Sequence, residues 1–461
     1  MDYNEKREKL LLESIPAVRD ELSPVEAKAD QKLKKLREEL LKYYKGKDLF
    51  KVDMLSNEEL INSPLHEMIH KMPKACDLHV HGLCLMPVKE FVDFLIGNED
   101  IFIAVDGTDR GKLYTGGVKE EYRSKGFMTV RECIEGPISR ETLENMWTLK
   151  GNPEGVLPWD YFEVLFAEHG DLADSLEVFE DYYYHAFKYY VSEGIYHVEP
   201  RALLFGSHDI AEKKSRAIMN AYHRVRRETK GFTCTMVGTV LKHINLSLDV
   251  TKMLLDNAIY SYKTVIDEFD PDDPRPFVGA IDFVNEEDHS RDLKEIADII
   301  QKATEENPGL TLLLHAGESN IPTNSNVIDA VLLGAKRIGH AFNLYRYPGL
   351  YNEIREKNIC IEVCPISNRI LDYTADLRLH PAIGYINAGL PVAIGSDDPG
   401  YQEHSTLTDD FFAIVLCWNF GIAEIKKLIL TAVEHAVLTD AGKKELKEVW
   451  EERFRDFCNL V

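Results

Sequence analysis

Short apolar runs alternate along most of this chain with longer amphipathic stretches. From about residue 73 onward, eight runs have the length and composition of buried strands: 75–81, 195–199, 233–241, 277–283, 310–315, 337–340, 359–364 and 391–396. Most are separated by stretches long enough for a helix, as at 292–307 and 348–357. Eight strand–helix units with nearly continuous apolar strands predict an α/β fold, a parallel (β/α)8 TIM barrel.

The residues before this region have a different pattern. Residues 1–72 are charged and predict an N-terminal helical extension, with Ser23-Pro24 as a helix start. An apolar stripe at helical spacing follows, made of Leu33, Leu36, Leu40, Leu41 and Tyr44. This stripe either packs on its own chain or forms a subunit interface. Residues 73–461 are then the hydrolase barrel, and the segment 97–158, rich in Gly, Pro and charge, is expected to form loops and short helices near its mouth.

Composition excludes several classes of partner. The chain has 461 residues, with 54 Lys+Arg against 78 Asp+Glu and a formal net charge of −24. Nucleic acid and anionic membranes reward clustered basic residues, so neither is expected as a partner. No run reaches the ~18 apolar residues of a membrane span. The start of the chain does not resemble a secretory signal, and the eight cysteines form no CxxC pair. A cytoplasmic protein with reduced thiols is therefore expected.

Imidazoles and a carboxylate stand at the ends of four predicted strands. The first run carries the pair His79 and His81, and side chains two apart in a strand project together. The fifth and sixth runs end in His315 and His340, and Asp397 follows the eighth. The carboxyl ends of barrel strands meet at one rim, where such folds build active sites. The pattern therefore predicts that these side chains converge.

Three histidines and one aspartate suit a divalent metal, zinc above all, with an open position for water. Such an ion lowers the pKa of bound water to ~7 and so supplies a nucleophile at neutral pH. Glu318, three residues after His315, is placed to donate a proton, and Asp398 is directed away from Asp397 toward a substrate. Each residue also has a structural interpretation, since strand-end histidines are often satisfied polar groups and Asp398 before a proline can begin a helix. Their joint position favours the metal site.

These residues resemble the adenosine deaminase superfamily of zinc amidohydrolases, and most closely its adenosine deaminase-related growth factor branch. The resemblance covers about residues 65–461 and rests on stretches that run in the family's order: Met72-Pro73-Lys74 with His79-Val80-His81, His315-Ala316-Gly317-Glu318, Arg337-Ile338-Gly339-His340, Glu362-Val363-Cys364-Pro365-Ile366-Ser367-Asn368, Asp376-Leu377-Arg378-Leu379-His380-Pro381 and Ser396-Asp397-Asp398-Pro399. The Ile366-Ser367-Asn368 form and the helical extension favour the growth-factor branch.

The resemblance implies a zinc-dependent hydrolytic deaminase of adenosine or a related 6-aminopurine nucleoside, giving an inosine-type product and ammonia. One Zn²⁺ per chain would be held by His79, His81, His315 and Asp397. Among the catalytic residues, which include Asp397, Glu318 would protonate purine N1, and His340 would orient the attacking water and act as a base. Asp398 would hold N7. In this branch the N-terminal helices build a dimer, which predicts a homodimer.

Further positions bear on the substrate. Asn285 follows the fourth strand, where the family usually has glycine at the purine contact, and its side chain adds bulk and hydrogen-bonding groups. Leu83 stands where classical deaminases carry an aspartate that contacts the ribose. Trp159 and Glu199 align with residues near the nucleoside pocket. Trp159 could instead belong to the core, and Glu199 could form a buried ion pair with Arg201.

Other functions stay open at this point. The same site could perform another zinc amidohydrolase reaction, such as hydrolysis of a cyclic amide or ester, or deaminate a modified or phosphorylated adenosine. A non-catalytic zinc-binding protein is the remaining alternative. Intact Glu318 and His340 argue against it, because a structural zinc site needs no acid or base beside an open position. A small purine nucleoside is thus the predicted partner.

Overall fold

A computed structural model describes residues 2–14, 21–43, 58–107 and 109–461. Its central element is a ring of eight strands, each parallel to the next along the chain. The strands are β1 Ala75–His81, β2 Ile195–Leu203, β3 Met236–Leu241, β4 Val278–Val284, β5 Thr311–Ala316, β6 Arg337–His340, β7 Cys360–Val363 and β8 Val392–Ile394. The prediction of a (β/α)8 barrel is confirmed, because the eight parallel strands follow one another around the ring in chain order, with helices outside them.

The ring closes between β8 and β1, just beyond the end of β8. The backbone N–H of Asp397 donates to the carbonyl of His79 at 2.8 Å, and the N–H of His81 donates to the carbonyl of Asp397 at 2.9 Å. The seam of the barrel therefore runs through residues that the sequence assigns to the metal site.

Helices surround the ring. The α-helices are Tyr3–Ser14, Pro24–Tyr43, Glu58–Ile61, Pro64–Lys71, Val88–Ile96, Lys119–Ser124, Val130–Glu135, Arg140–Met146, Pro158–His169, Leu176–Ser192, His208–Glu228, Leu248–Thr264, Ala297–Glu306, Asn326–Leu332, Tyr351–Glu356, Pro365–Ile370, Ala382–Asn387, Pro399–Gln402, Thr406–Trp418, Ile422–His435 and Asp440–Leu460. Among the helices of the described ranges, none combines the length and apolar character that a bilayer span requires.

The N-terminal helix Pro24–Tyr43 packs on the last two helices of the same chain. Leu33 is fully buried there, Arg37 donates to the carbonyl of Phe420 at 2.6 Å, and Asp30 accepts from the N–H of Ile422 at 2.9 Å. The stripe is thus covered by its own chain, apart from Tyr44, which lies outside the described residues. The homodimer stays a prediction, as does the boundary at residue 72, since one apolar core continues from this helix into the barrel.

The segment 97–158 contains more order than the sequence suggested. Besides short helices it forms a small antiparallel sheet of three two-residue strands, Phe102–Ile103, Leu113–Tyr114 and Met128–Thr129. Trp147 is fully buried beside this sheet, and its indole N–H donates to the carbonyl of Gly111 at 2.9 Å. The helix that follows, Pro158–His169, carries the chain across the barrel mouth.

Candidate active site

Four imidazoles and a carboxylate meet at the carboxyl end of the barrel. Asp397 Oδ1 lies 3.3 Å from His81 Nε2 and 3.4 Å from His79 Nε2, and its Oδ2 lies 3.9 Å from His340 Nε2. The His315 ring centre is 4.7 Å from that of His79 and 5.1 Å from that of His340. Side chains from β1, β5 and β6 and the segment after β8 therefore surround one point, as the sequence predicted.

Buried carboxylates orient two of these imidazoles from behind. His79 Nδ1 lies 2.7 Å from Glu362 Oε2, and His315 Nδ1 lies 2.8 Å from Asp282 Oδ2. With Nδ1 bonded in this way, Nε2 of each ring carries the free lone pair. His79 Nε2 is buried and has no hydrogen-bond partner among the described residues. A buried nitrogen left without a partner costs free energy, so this arrangement fits a bound metal ion.

The donor atoms are close enough together to share one ion. One atom each from His79, His315, His340 and Asp397 lies within 4.8 Å of the others, and His81 forms a second such group with Asp397 and Asp398. Burial lowers the pKa of His81 to about 4, so its imidazole is neutral at physiological pH. Burial alone would raise the pKa of Asp397, but the imidazoles of His340 and His79 hold it well below its usual range. These shifts favour the deprotonated forms of His81 and Asp397, which metal binding requires.

The backbone is strained where these side chains leave the strands. His340 and Asp397 have φ values of 59° and 62°, in the left-handed region that residues with a side chain rarely adopt. Such strain persists where the surrounding structure over-determines it, and it concentrates at functional sites.

Glu318 lies at the edge of the cluster and is fully buried. Its Oε1 is 3.3 Å from His340 Nδ1. Burial raises the pKa of Glu318 well above its usual range, and the nearby carboxylates of Asp397 and Glu287 raise it further. The Glu287 carboxylate also holds the loop, since it accepts from the N–H groups of Gly317 at 3.0 Å and Glu318 at 2.8 Å. This shift favours the protonated, acid form of Glu318, and the loop holds the carboxyl in a fixed position.

Asp398 also lines the cavity above the cluster. It precedes the helix Pro399–Gln402, but its side chain makes no capping hydrogen bond, so the interpretation as a simple helix start does not account for it. Instead its Oδ1 accepts a hydrogen bond from the thiol of Cys84 at 2.7 Å. Burial and the neighbouring Asp397 raise the pKa of Asp398 well above its usual range.

The remaining predicted positions separate into two groups. Asn285 and Trp159 line the cavity, whereas Glu199 does not. Glu199 is fully buried deeper in the barrel, where it accepts from Arg337 and from the N–H of Val437 at 2.6 Å, so the ion-pair interpretation accounts for it, with Arg337 in place of Arg201.

Asn285 has a φ of 120°, which explains why glycine is usual at this position. Its side-chain oxygen accepts from the N–H groups of Lys242 at 3.1 Å and His243 at 3.2 Å and so fixes the neighbouring loop. Trp159 is half-buried, and its indole N–H donates to the Tyr373 hydroxyl at 2.9 Å.

The cavity over the cluster has a volume of about 590 Å³, within the range of small-molecule sites. One face of the helix Pro158–His169 covers it with Trp159, Phe162 and Phe166, and apolar residues such as Leu83 and Leu203 form the walls. The candidate metal ligands, Glu318 and Asp398 form the floor, and Glu163, Lys214 and His243 also line the cavity. The arrangement fits a flat, largely apolar molecule with a few polar atoms at its inner end.

The family model for adenosine deaminase matches residues 158–452 of this chain. The chain belongs to the adenosine deaminase family. It is by this membership a hydrolase that acts on C–N bonds, which confirms the prediction made from the sequence. The matched region contains β2 to β8, Glu318 and all the candidate ligands except those of β1.

Curated relatives extend the likeness to the whole chain. Adenosine deaminase 2 of Dictyostelium discoideum is 28% identical over 100% of this chain and 87% of its own length. Adenosine deaminase 2-A of Danio rerio is 28% identical over 90% of this chain and 85% of its own. These full-length matches agree with the growth-factor branch.

Solved structures share the fold. An amidohydrolase from Burkholderia ambifaria with bound Zn superposes with a TM-score of 0.62 at 18% identity, covering 86% of this chain and 94% of that one. The N6-methyl-AMP deaminase of Arabidopsis thaliana gives a TM-score of 0.59 at 14% identity, covering 84% and 98%. At this identity the likeness establishes the barrel architecture alone.

Several side chains of the site had no role assigned from the sequence. They are Asp282, Glu362, Glu287 and Cys84. The signal for the first two was present, since each is a carboxylate inside an otherwise apolar strand, where an unpaired charge would be costly.

Proposed function

We propose that this protein is a zinc-dependent hydrolytic deaminase of adenosine or a closely related 6-aminopurine nucleoside, and that it releases ammonia and the 6-oxopurine nucleoside. The observation that carries the proposal is the buried Glu318, whose raised pKa favours the acid form, beside a cluster of histidine and aspartate donors that could share one metal ion. Hydrolysis at a purine carbon needs both a nucleophile made from water and an acid for the ring nitrogen.

The ligands in this proposal are His79, His81, His315 and Asp397. His79 and His315 each have a carboxylate behind Nδ1 and so present Nε2 to the metal. A zinc ion bound there would make a nucleophile of water at neutral pH. His340 differs because its Nδ1 faces Glu318 at 3.3 Å, which leaves Nε2 as a base beside the attacking water.

The proposed reaction assigns each proton to a side chain. Water adds to C6 of the purine while its proton passes to His340, and the Glu318 carboxyl gives its proton to N1. The amino group then leaves C6 as ammonia with a proton returned by His340. The C6 hydroxyl becomes a carbonyl, and its proton returns to the Glu318 carboxylate. Positioned acids and bases of this kind contribute typically ~10²–10⁴ in rate.

Three further residues position the base in this proposal. Asp398 has its pKa raised, so its carboxyl can share a proton with N7 from the inner wall. Asn285 lies at the edge of the purine, and Trp159 covers the nucleoside from the helix over the mouth. The apolar walls exclude water from all but the reacting end.

A substrate panel tests the proposal. Zinc-loaded protein is mixed with adenosine, 2′-deoxyadenosine, N6-methyladenosine, 5′-methylthioadenosine or AMP, and release of ammonia or methylamine is measured. At least one compound should react, and chelation of the metal should stop the reaction until zinc is restored. Absence of amine release from the whole panel, with full metal content, would contradict the proposal and favour another amidohydrolase reaction.

One observation favours a substrate with an anionic 5′ group as the second candidate. Lys214 lines the cavity and is half-buried, and its ammonium makes no ion pair or hydrogen bond within the described part of the chain. Burial lowers its pKa, against the influence of Asp174. An ammonium in a largely apolar wall would gain from a phosphate placed opposite it.

The panel separates the two candidates when it is repeated with Lys214→Met. If the substrate is a monophosphate, this change should lower kcat/KM for AMP at least tenfold more than for adenosine. Lys213→Met is the matched control, because Lys213 is exposed and pairs with Asp209 at 2.7 Å outside the cavity. Equal activity of both variants on AMP would exclude the phosphate role of Lys214.

A further inference from the structure

One guanidinium lies between the two carboxylates that orient the metal-facing imidazoles. Arg201, on β2, is fully buried. Its Nε donates to Asp282 Oδ2 at 2.8 Å, and its Nη2 donates to Glu362 Oε2 at 2.6 Å. These are the same two oxygens that accept from His315 and His79. The side chain thus connects the carboxylates of β4 and β7 across the interior of the barrel.

The third nitrogen of the guanidinium fixes the position of the Arg201 side chain, whose three nitrogens form a fork of donors. Arg201 Nη1 donates to the backbone carbonyl of Leu78 at 2.9 Å, in the strand that carries His79. The fork therefore has three anchor points on three strands. A planar group with three nitrogens in fixed directions can do this, whereas a lysine ammonium carries all its donors on one nitrogen and cannot reproduce the fork.

The same contacts balance the buried charges. Arg201, Asp282 and Glu362 are all almost fully buried, and the guanidinium forms an ion pair with each carboxylate. Removing the guanidinium would leave two buried carboxylates without this partner, which is costly.

We infer that Arg201 is a positioning residue for the metal site: it holds Asp282 and Glu362 as one unit, and through them sets the orientation of His315 and His79 together. This inference rests on the metal site of the proposed function but not on the nucleoside. Its consequence is that the two ligands are coupled, so that loosening one carboxylate loosens both imidazoles.

The experiment measures metal binding rather than turnover. Arg201→Lys keeps the charge and removes the fork. Zinc affinity is measured by competition with a chelator, and the visible spectrum of the Co²⁺-substituted protein reports the coordination geometry. Loss of a residue that hydrogen-bonds to a metal ligand typically lowers metal affinity ~10–100-fold. We expect Arg201→Lys to weaken zinc binding by ~10–100-fold and to change the Co²⁺ spectrum.

Arg275→Lys is the control for replacing a half-buried, ion-paired arginine. Arg275 donates to the carbonyl of Cys234 at 2.9 Å and to Asp267 Oδ2 at 3.3 Å, and it touches neither metal-orienting carboxylate. It should lower thermal stability without changing zinc affinity. If Arg201→Lys folds and binds zinc with the affinity and Co²⁺ spectrum of Arg275→Lys, the inference is wrong.

A coupling measurement keeps the inference testable if Arg201→Lys does not fold. Asp282→Asn and Glu362→Gln are made singly and together, and zinc affinity is compared. Because both release the same fork, the double variant should lose clearly less affinity than the product of the two single losses. Independent, multiplying losses would overturn the shared role of Arg201. Wild-type protein that binds no divalent metal would instead refute the proposed function.

Discussion

Gly339 lies between two of the imidazoles that face the metal, and replacing it with alanine should break the site without breaking the fold. A methyl group at this position would lie 2.9 Å from His79 Cε1 and 3.4 Å from both Cγ and Nδ1 of His315. Carbon atoms in contact prefer ~3.5–4.0 Å, so the His79 ring must move by at least ~0.6 Å. The donors of a metal site tolerate only ~0.2 Å.

The size of the effect follows from this displacement. The His79 ring cannot move without stretching its 2.7 Å contact with Glu362, so the orientation of Nε2 changes as well. We expect Gly339→Ala to bind zinc at least ~10-fold more weakly, in the range seen when outer partners of metal ligands are lost. Overpacking in a core costs about 1–3 kcal/mol, which should lower the free energy of unfolding but leave the barrel folded.

The assay compares zinc content after dialysis, chelator competition and circular dichroism for wild type, Gly339→Ala and Gly384→Ala. Gly384 is exposed in the helix Ala382–Asn387, and a methyl group there meets nothing within 4 Å. The control should therefore be as stable as wild type or more so, by up to ~1 kcal/mol, because alanine favours helix. If Gly339→Ala binds zinc as tightly as this control, the placement of the His79 and His315 rings is wrong.

Three further variants test the proposed acid Glu318, the proposed purine-binding residue Asp398 and the buried ion pair of Glu199. Glu318→Gln should lower kcat by ~10²–10⁴ with unchanged zinc content, and loss of zinc with activity would contradict its role as an acid. Asp398→Asn should reduce kcat/KM on a purine by ~10–100-fold, because an amide cannot share a proton with N7 as the carboxyl does, and a harmless change would favour a non-purine substrate. Burial would raise the pKa of Glu199, but Arg337 and His197 lower it to about 2 from an ordinary 4.5. Because the pKa of Glu199 is lower in the folded than in the unfolded protein, the ionised carboxylate stabilises the fold above pH 4.5, and this stabilisation is lost as the pH falls toward 2. Between these pH values the free energy of unfolding should fall by ~3 kcal/mol more in wild type than in Glu199→Gln. Denaturant titrations at each pH would measure the difference.

The eight strands could be predicted from the sequence because strands buried on both faces are continuous apolar runs with little else to confuse them. The observed β1 and β6 have the predicted bounds. Short strands with no such signature could not be predicted. The antiparallel sheet at Phe102–Ile103, Leu113–Tyr114 and Met128–Thr129 consists of pairs of residues, too few to produce an alternating pattern.

The candidate site could also be predicted only in part from the sequence. Histidines at strand ends were recognisable, because a barrel brings the carboxyl ends of all its strands to one rim. The carboxylates behind these histidines could not be predicted in the same way. The contact between Glu362 and His79 depends on how β1 and β7 face each other across the barrel, and the sequence of a single strand does not determine this. The role of Cys84 is of the same kind, since its thiol meets Asp398 from the far end of the chain.

The candidate metal site lies at the hydrogen-bonded seam between β1 and β8, where the barrel closes. Asp77 and Ser396, whose side chains bond across this seam, are 319 residues apart in sequence. An ion held jointly by His79 and Asp397 would therefore connect the first barrel strand to the last. Because Asp397 follows the last barrel strand, the complete donor set of the proposed site would exist only after all eight strands have been synthesised.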